Sequence, residues 1–154
     1  MHRIPRHQIL SATLILLLSA GVAYAGEAEA VDAAAALDMI RSLAGEWTVA
    51  VPEEAEGEHG DTAQHIFRRS ANDSVVMETM WEGTDHEMIN MYHLDGEDLV
   101  LTHYCAAGNQ PHMKLDRAAS TSKKLHFAFA GGTNLDPEKD MHIHAASVTF
   151  VDDG

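Results

Sequence analysis

The stretch MINMYHLDGEDLVLTHYCAAGNQPHM, Met88 to Met113, decides the fold. Two runs rich in β-branched, aromatic and apolar residues flank Asp95-Gly96, the strongest short hairpin signal a sequence carries. A two-residue turn at Asp95-Gly96 predicts Leu94 opposite Glu97, Tyr92 opposite Leu99, Asn90 opposite Leu101 and Met88 opposite His103. Alternation then makes two faces. One collects Met88, Asn90, Tyr92, Leu94, Leu99, Leu101, His103 and Cys105. The other collects Glu87, Ile89, Met91, His93, Asp98, Val100, Thr102 and Tyr104. The second carries ionisable residues at the strand ends, so it is assigned to solvent and the first to the interior. The polar turn at Gly108-Asn109 ends the stretch.

Outward from this hairpin the same pattern continues. Strand-like runs cover Ala63–Arg69, Ser74–Glu82, Glu87–Leu94, Asp98–Cys105, His112–Arg117, Lys124–Ala130 and Met141–Val151. Turn residues separate them, including Ala71-Asn72-Asp73, Gly83-Thr84-Asp85, Ser120–Ser122 and Gly131–Asp140. Upstream, Trp47–Val51 adds a first strand, followed by the acidic loop Pro52–Asp61, read as solvated. Before it, Val31–Leu43 reads as a helix. Asp32 is its N-cap, Leu37, Ile40 and Ala44 recur on one face, and Gly45 is a left-handed stop. Connections this short cannot make parallel crossovers. The expected fold is mostly β: an antiparallel up-and-down barrel of about eight strands preceded by one helix. Asp153-Gly154 after an apolar run is a further hairpin signal, so one or two closing strands are expected beyond it.

Residues 1–25 have the form of a signal peptide. Arg3 and Arg6 precede the apolar run Ile9–Leu18, and Ala23-Tyr24-Ala25 fits a cleavage site. The expected product is a single domain, residues 26–154, exported to the periplasm or secreted, with no membrane span. The whole chain carries a formal charge of −14, and losing Arg3 and Arg6 makes it more negative. Binding to nucleic acid or anionic membrane needs basic clusters, which the sequence lacks. The single cysteine, Cys105, forms no internal disulfide; it is a buried small hydrophobe or a reactive thiol.

The order helix, Leu43-Ala44-Gly45-Glu46-Trp47, then meander resembles calycin or lipocalin-like barrels, whose first strand opens with a similar Gly-x-Trp. Met91–Gly96 together with Leu101–Pro111 resembles a bacterial family of exported, lipocalin-like proteins of unknown function, over about residues 37–151. Related barrels include haem-binding, nitrobindin-like proteins whose iron ligand is a histidine near the C-terminus. The segment that carries that histidine is expected beyond Gly154, so haem is not carried over and no cofactor is expected. The arginine that packs on the Gly-x-Trp tryptophan in true lipocalins comes from the last strand and has no identifiable counterpart here.

The candidate ligand-binding residues are Glu78, Asn90, Tyr92, His103, Cys105, Asn109 and Gln110. Polar groups inside an apolar barrel either bond to one another or orient a ligand. Glu78 sits mid-strand and points either outward or inward. If inward, it is expected near His103 with a raised pKa. His103 and Cys105 lie roughly 7 Å apart along one strand, too far for direct thiol activation. Asn109 and Gln110 either satisfy their own turn or form a rim. His142 and His144, on one face of a strand, are half a metal site at most. The expected function is an exported barrel binding a hydrophobic or amphipathic small molecule. The alternatives are an enzyme using a Glu-His(-Cys) cluster and a purely structural or interaction barrel.

Overall fold

A computed structural model describes residues 30–49 and 63–151. The expected signal peptide, the acidic stretch Pro52–Asp61 and the Asp153-Gly154 hairpin signal lie outside the described residues. One helix, α1 (Ala33–Ser42), precedes eight strands: β1 (Gly45–Val49), β2 (Ala63–Ser70), β3 (Val75–Met80), β4 (Met88–Asp95), β5 (Asp98–Tyr104), β6 (Gln110–Leu115), β7 (Lys124–Thr133) and β8 (Ala145–Thr149). They form one antiparallel sheet in sequence order. The sheet curls into a half-barrel, with β1 and β8 at its edges. The up-and-down order and the preceding helix are as the sequence predicts.

The helix starts where Asp32 caps it. The carboxylate accepts from the backbone N–H groups of Ala34 and Ala35, both at 3.0 Å, which satisfies donors that a helix start otherwise leaves open. Leu43 ends the helix in a right-handed conformation, and Gly45 opens β1 at φ +142. The stop is therefore Leu43, with Gly45 turning the chain beyond it. Ala33, Ala36, Leu37 and Ile40 are buried, while Ala44 is exposed. Their stripe packs with Phe67, Val76, Tyr92, Leu99, Leu101, Met113, Leu125 and Phe127 of the concave face. Complete burial of Leu37 and Ile40 is each worth roughly 1.5–3 kcal/mol.

The helix covers one end of the half-barrel. Arg41 donates to the carbonyl of Asp73 in the β2–β3 turn. Asp32–Ala34 share a cleft with Gly96 and Glu97 of the β4–β5 turn, and Val31 and Met39 share another with Ser120–Ser122 of the β6–β7 turn. In an up-and-down meander these alternate turns all fall at the same end. The opposite end carries the connections 81–87, 105–109 and 134–144.

The central hairpin differs from the sequence expectation by two residues. Asp95 pairs with Asp98 and Leu94 with Leu99, so the turn is Gly96-Glu97. Gly96, at φ +61, supplies the left-handed conformation that this turn requires. A slip of two preserves every face, whereas a slip of one would invert them all. Asn90, Tyr92, Leu99, Leu101 and His103 are buried as assigned; Met88 and Cys105 are half-buried, and Leu94 is exposed at 38%. The slip matters chemically: it places Asn90 opposite His103 rather than opposite Leu101.

Candidate functional site

Glu78 organises the concave face. It faces inward at 5% exposure, settling the orientation that alternation in β3 leaves open. It pairs with Asn90 on β4, which pairs with His103 on β5, so the three lie in one row across the sheet. Its Oε2 accepts from Asn90 Nδ2 and from the Tyr92 hydroxyl, both at 2.7 Å. Its Oε1 lies 2.7 Å from His65 Nδ1. An ionised carboxylate only accepts, so the Nδ1 proton sits on His65.

The electrostatics reverse one expectation. Burial does push the Glu78 carboxyl up, as anticipated for an inward carboxylate. The hydrogen bonds from His65, Asn90 and Tyr92 outweigh it, and the group is held below its ordinary 4.5. Sequence shows burial readily and converging donors poorly, hence the wrong sign. Tyr92 is raised well above 10.0, by burial first and then by the Glu78 charge, so its hydroxyl stays a donor.

The carboxylate also fixes groups it does not touch. Because Asn90 Nδ2 donates to Glu78, its Oδ1 must face the other way. There it meets His103 Nδ1 at 2.7 Å, and an amide oxygen can only accept. His103 is therefore the Nδ1–H tautomer. Burial lowers its pKa below 6.5, partly opposed by the Glu78 charge, so the ring is neutral near pH 7 and Nε2 carries a lone pair. That Nε2 is buried and has no hydrogen-bond partner among the described residues. Glu78 and His103 thus communicate through Asn90 rather than by direct contact.

His65 was missed by the sequence reading. Its signal was available: the turn Ala71–Ser74 sets Ser70 against Val75, which puts Phe67 beside Glu78 and His65 on the adjacent diagonal. The ring packs edge-on against Trp81, with centroids 6.0 Å apart.

The remaining candidates divide. Cys105 is half-buried and free, and its backbone N–H donates to the Asn109 carbonyl at 3.0 Å. Asn109 is buried at 5%; its Nδ2 donates to the Met141 carbonyl at 2.9 Å, tying two connections together at the end away from α1. Its Oδ1 is the second buried side-chain atom without a partner among the described residues. Gln110 is half-buried and satisfies its own turn and the neighbouring strand end: its Nε2 donates to the Gly108 carbonyl, and its Oε1 accepts from Thr133 and Asn134.

His142 and His144 are close but not on a strand, since β8 begins at Ala145. The run Asp136–Asp140, closed by bonds from Lys139 and Asp140 N–H groups to the Asp136 carbonyl, keeps the preceding segment out of the sheet. His142 Nε2 lies 3.2 Å from His144 Nδ1, and both rings rest on Phe129. No group of three or more metal-ligating side chains occurs among the described residues. No helix among them is long and apolar enough to cross a membrane.

The chain was compared with models of known protein families, with curated proteins and with solved structures, and it matches none of them.

Proposed function

We propose that this protein is an exported binder of a hydrophobic or amphipathic small molecule, held on the concave face of the half-barrel. One observation carries the reading: a buried imidazole nitrogen, His103 Nε2, is held with its lone pair free by a chain of hydrogen bonds anchored at Glu78. A buried polar atom without a partner destabilises a fold by about 1–3 kcal/mol. Retaining one beside an apolar floor of Tyr92, Leu101 and Phe127 makes sense where a ligand completes it. The leader-like residues 1–25 support export, and the chain's formal charge of −14 suits a soluble carrier.

The test uses the full chain and N-phenyl-1-naphthylamine, a neutral apolar probe whose fluorescence rises on leaving water. Saturable enhancement, reduced by His103→Phe, supports the proposal. A flat titration, together with native mass spectra free of any added apolar compound, refutes it.

A second reading has its own observation. The 2.7 Å contact between Glu78 and His65 orients an imidazole by a carboxylate, as a general base is commonly oriented. In that case the protein is an enzyme, and His65→Gln abolishes a screened activity while leaving probe binding intact.

A further inference from the structure

The concave face holds two unpaired buried side-chain atoms among the described residues, His103 Nε2 and Asn109 Oδ1, and both are acceptors. Their identities are fixed by their neighbours. Asn109 Nδ2 must be the end that donates to the Met141 carbonyl, leaving Oδ1 free. The Asn90 amide imposes the Nδ1–H form on His103, leaving Nε2 free.

The two atoms belong to one wall. Thr102 pairs with His112, and the Cys105 N–H donates to the Asn109 carbonyl, so Cys105 stands opposite Asn109 and His103 opposite Pro111. Alternation then puts His103, Cys105, Asn109 and Pro111 on the face that also buries Leu101 and Met113. His103 and Asn109 are diagonal neighbours, about 7–8 Å apart at the backbone.

The donors nearby are already committed. His65 Nδ1, Asn90 Nδ2 and the Tyr92 hydroxyl all point at Glu78, and His103 Nδ1 points at Asn90. Lys139, which lines the cleft beside Asn109, is paired with Asp136. Apart from the weak Cys105 thiol donor, what remains on this wall offers lone pairs, with the buried Glu78 carboxylate two strands from His103.

We infer that the ligand is an amphiphile whose head group donates hydrogen bonds, an alcohol or amine joined to an apolar chain, and that carboxylate, sulfonate and phosphate head groups are rejected. The inference rests on the binding reading above and narrows it. An anionic head group would set its lone pairs against those of His103 and Asn109 and its charge against Glu78. A hydroxyl or ammonium completes the acceptors and is drawn to the same carboxylate field.

The experiment displaces N-phenyl-1-naphthylamine from the full chain at pH 8 with four ligands sharing one chain length: 1-decanol, decyl methyl ether, decylamine and decanoate. Decanol and its ether are both uncharged and differ in the donor. Decanol is expected to bind about tenfold more tightly than the ether, the effect of one completed buried hydrogen bond. Decylamine should match or exceed decanol, and decanoate should be weaker by at least about tenfold. His103→Phe should bring decanol and ether to within about twofold of each other. Equal displacement by decanol and ether, or decanoate as strong as decanol, overturns the inference and leaves the binding reading standing. If none of the four displaces the probe, the binding reading falls and this inference with it. The comparison among the four ligands uses the native chain, so it decides the matter even where His103→Phe fails to fold.

Discussion

Glu78→Gln removes one charge from the concave face and almost no volume. Glu78 accepts three hydrogen bonds at 2.7 Å, from His65, Asn90 and Tyr92. A glutamine can keep the oxygen toward Asn90 and Tyr92 and turn its amide nitrogen toward His65, which accepts by changing tautomer. Three charge-assisted bonds then become three neutral ones, each weaker by about 1 kcal/mol. Relief from burying a carboxylate offsets part of that sum. The offset is incomplete, because the Glu78 pKa is held below 4.5: the folded site prefers the ion to the neutral group. The expected loss is roughly 1–3 kcal/mol, a fall of about 5–10 °C in Tm for a domain of this size. Glu78→Leu leaves two buried donors, on Asn90 and Tyr92, and the part-buried His65 unpaired, and should lose more, about 3 kcal/mol or above.

The assay is urea unfolding followed by tryptophan fluorescence at pH 7, repeated down to pH 3. A folded pKa below the unfolded value means that the contribution is complete above about 4.5 and is lost as pH falls through the folded pKa. Glutamine takes up no proton there, so the gap between wild type and Glu78→Gln should close as the solution is acidified. A variant as stable as wild type at pH 7, or a gap that stays constant down to pH 3, refutes the assignment of Glu78 as the ionised hub.

Nitrogen-15 NMR of the His103 ring should show the Nδ1–H tautomer from pH 8 down past 6.5; an Nε2–H signal would break the chain of inference through Asn90. Its lowered pKa also means that the neutral ring's contribution is complete above 6.5 and is lost as pH falls through the folded value, so wild type should lose more stability than His103→Phe on acidification. Asp32→Ala removes both acceptor contacts at the start of α1 and should destabilise by about 1 kcal/mol; no change in the unfolding midpoint would mean that the helix start needs no cap. At Gly132 a Cβ would come within 2.9 Å of the Gln110 carbonyl oxygen and 3.2 Å of Pro111 Cα, both backbone atoms. Gly132→Ala should therefore loosen the β6–β7 pairing and speed amide hydrogen exchange there; unchanged protection factors would count against so tight an approach.

The number, order and antiparallel sense of the strands were legible because turn residues separate every pair and alternation is visible within each run. The helix was legible from Asp32 and its apolar stripe. The inner face of β4 and β5 survived a wrong register because the error was two residues, and parity carries the facing. The errors have a common cause. Asn90 beside His103, His65 beside Glu78 and the direction of the Glu78 shift all depend on which strand positions meet, which turn geometry fixes and composition does not. His142 and His144 were placed on a strand because 141–151 reads as one run, while hydrogen bonds onto Asp136 hold the segment before β8 apart.

Sequence-ordered pairing of the sheet has a kinetic consequence. Every strand contact joins neighbours in the chain and closes a short loop, so the meander can zip from any hairpin with little entropy to overcome at each step. The packing of α1 on β4 and β5 is the long-range event, joining Ala33–Ser42 to a hairpin about fifty residues away. Until that docking, the concave surface of Tyr92, Leu101 and Phe127 stands open to water at the helix end. Docking of α1 is therefore expected to come late in folding and to complete the apolar floor under His103.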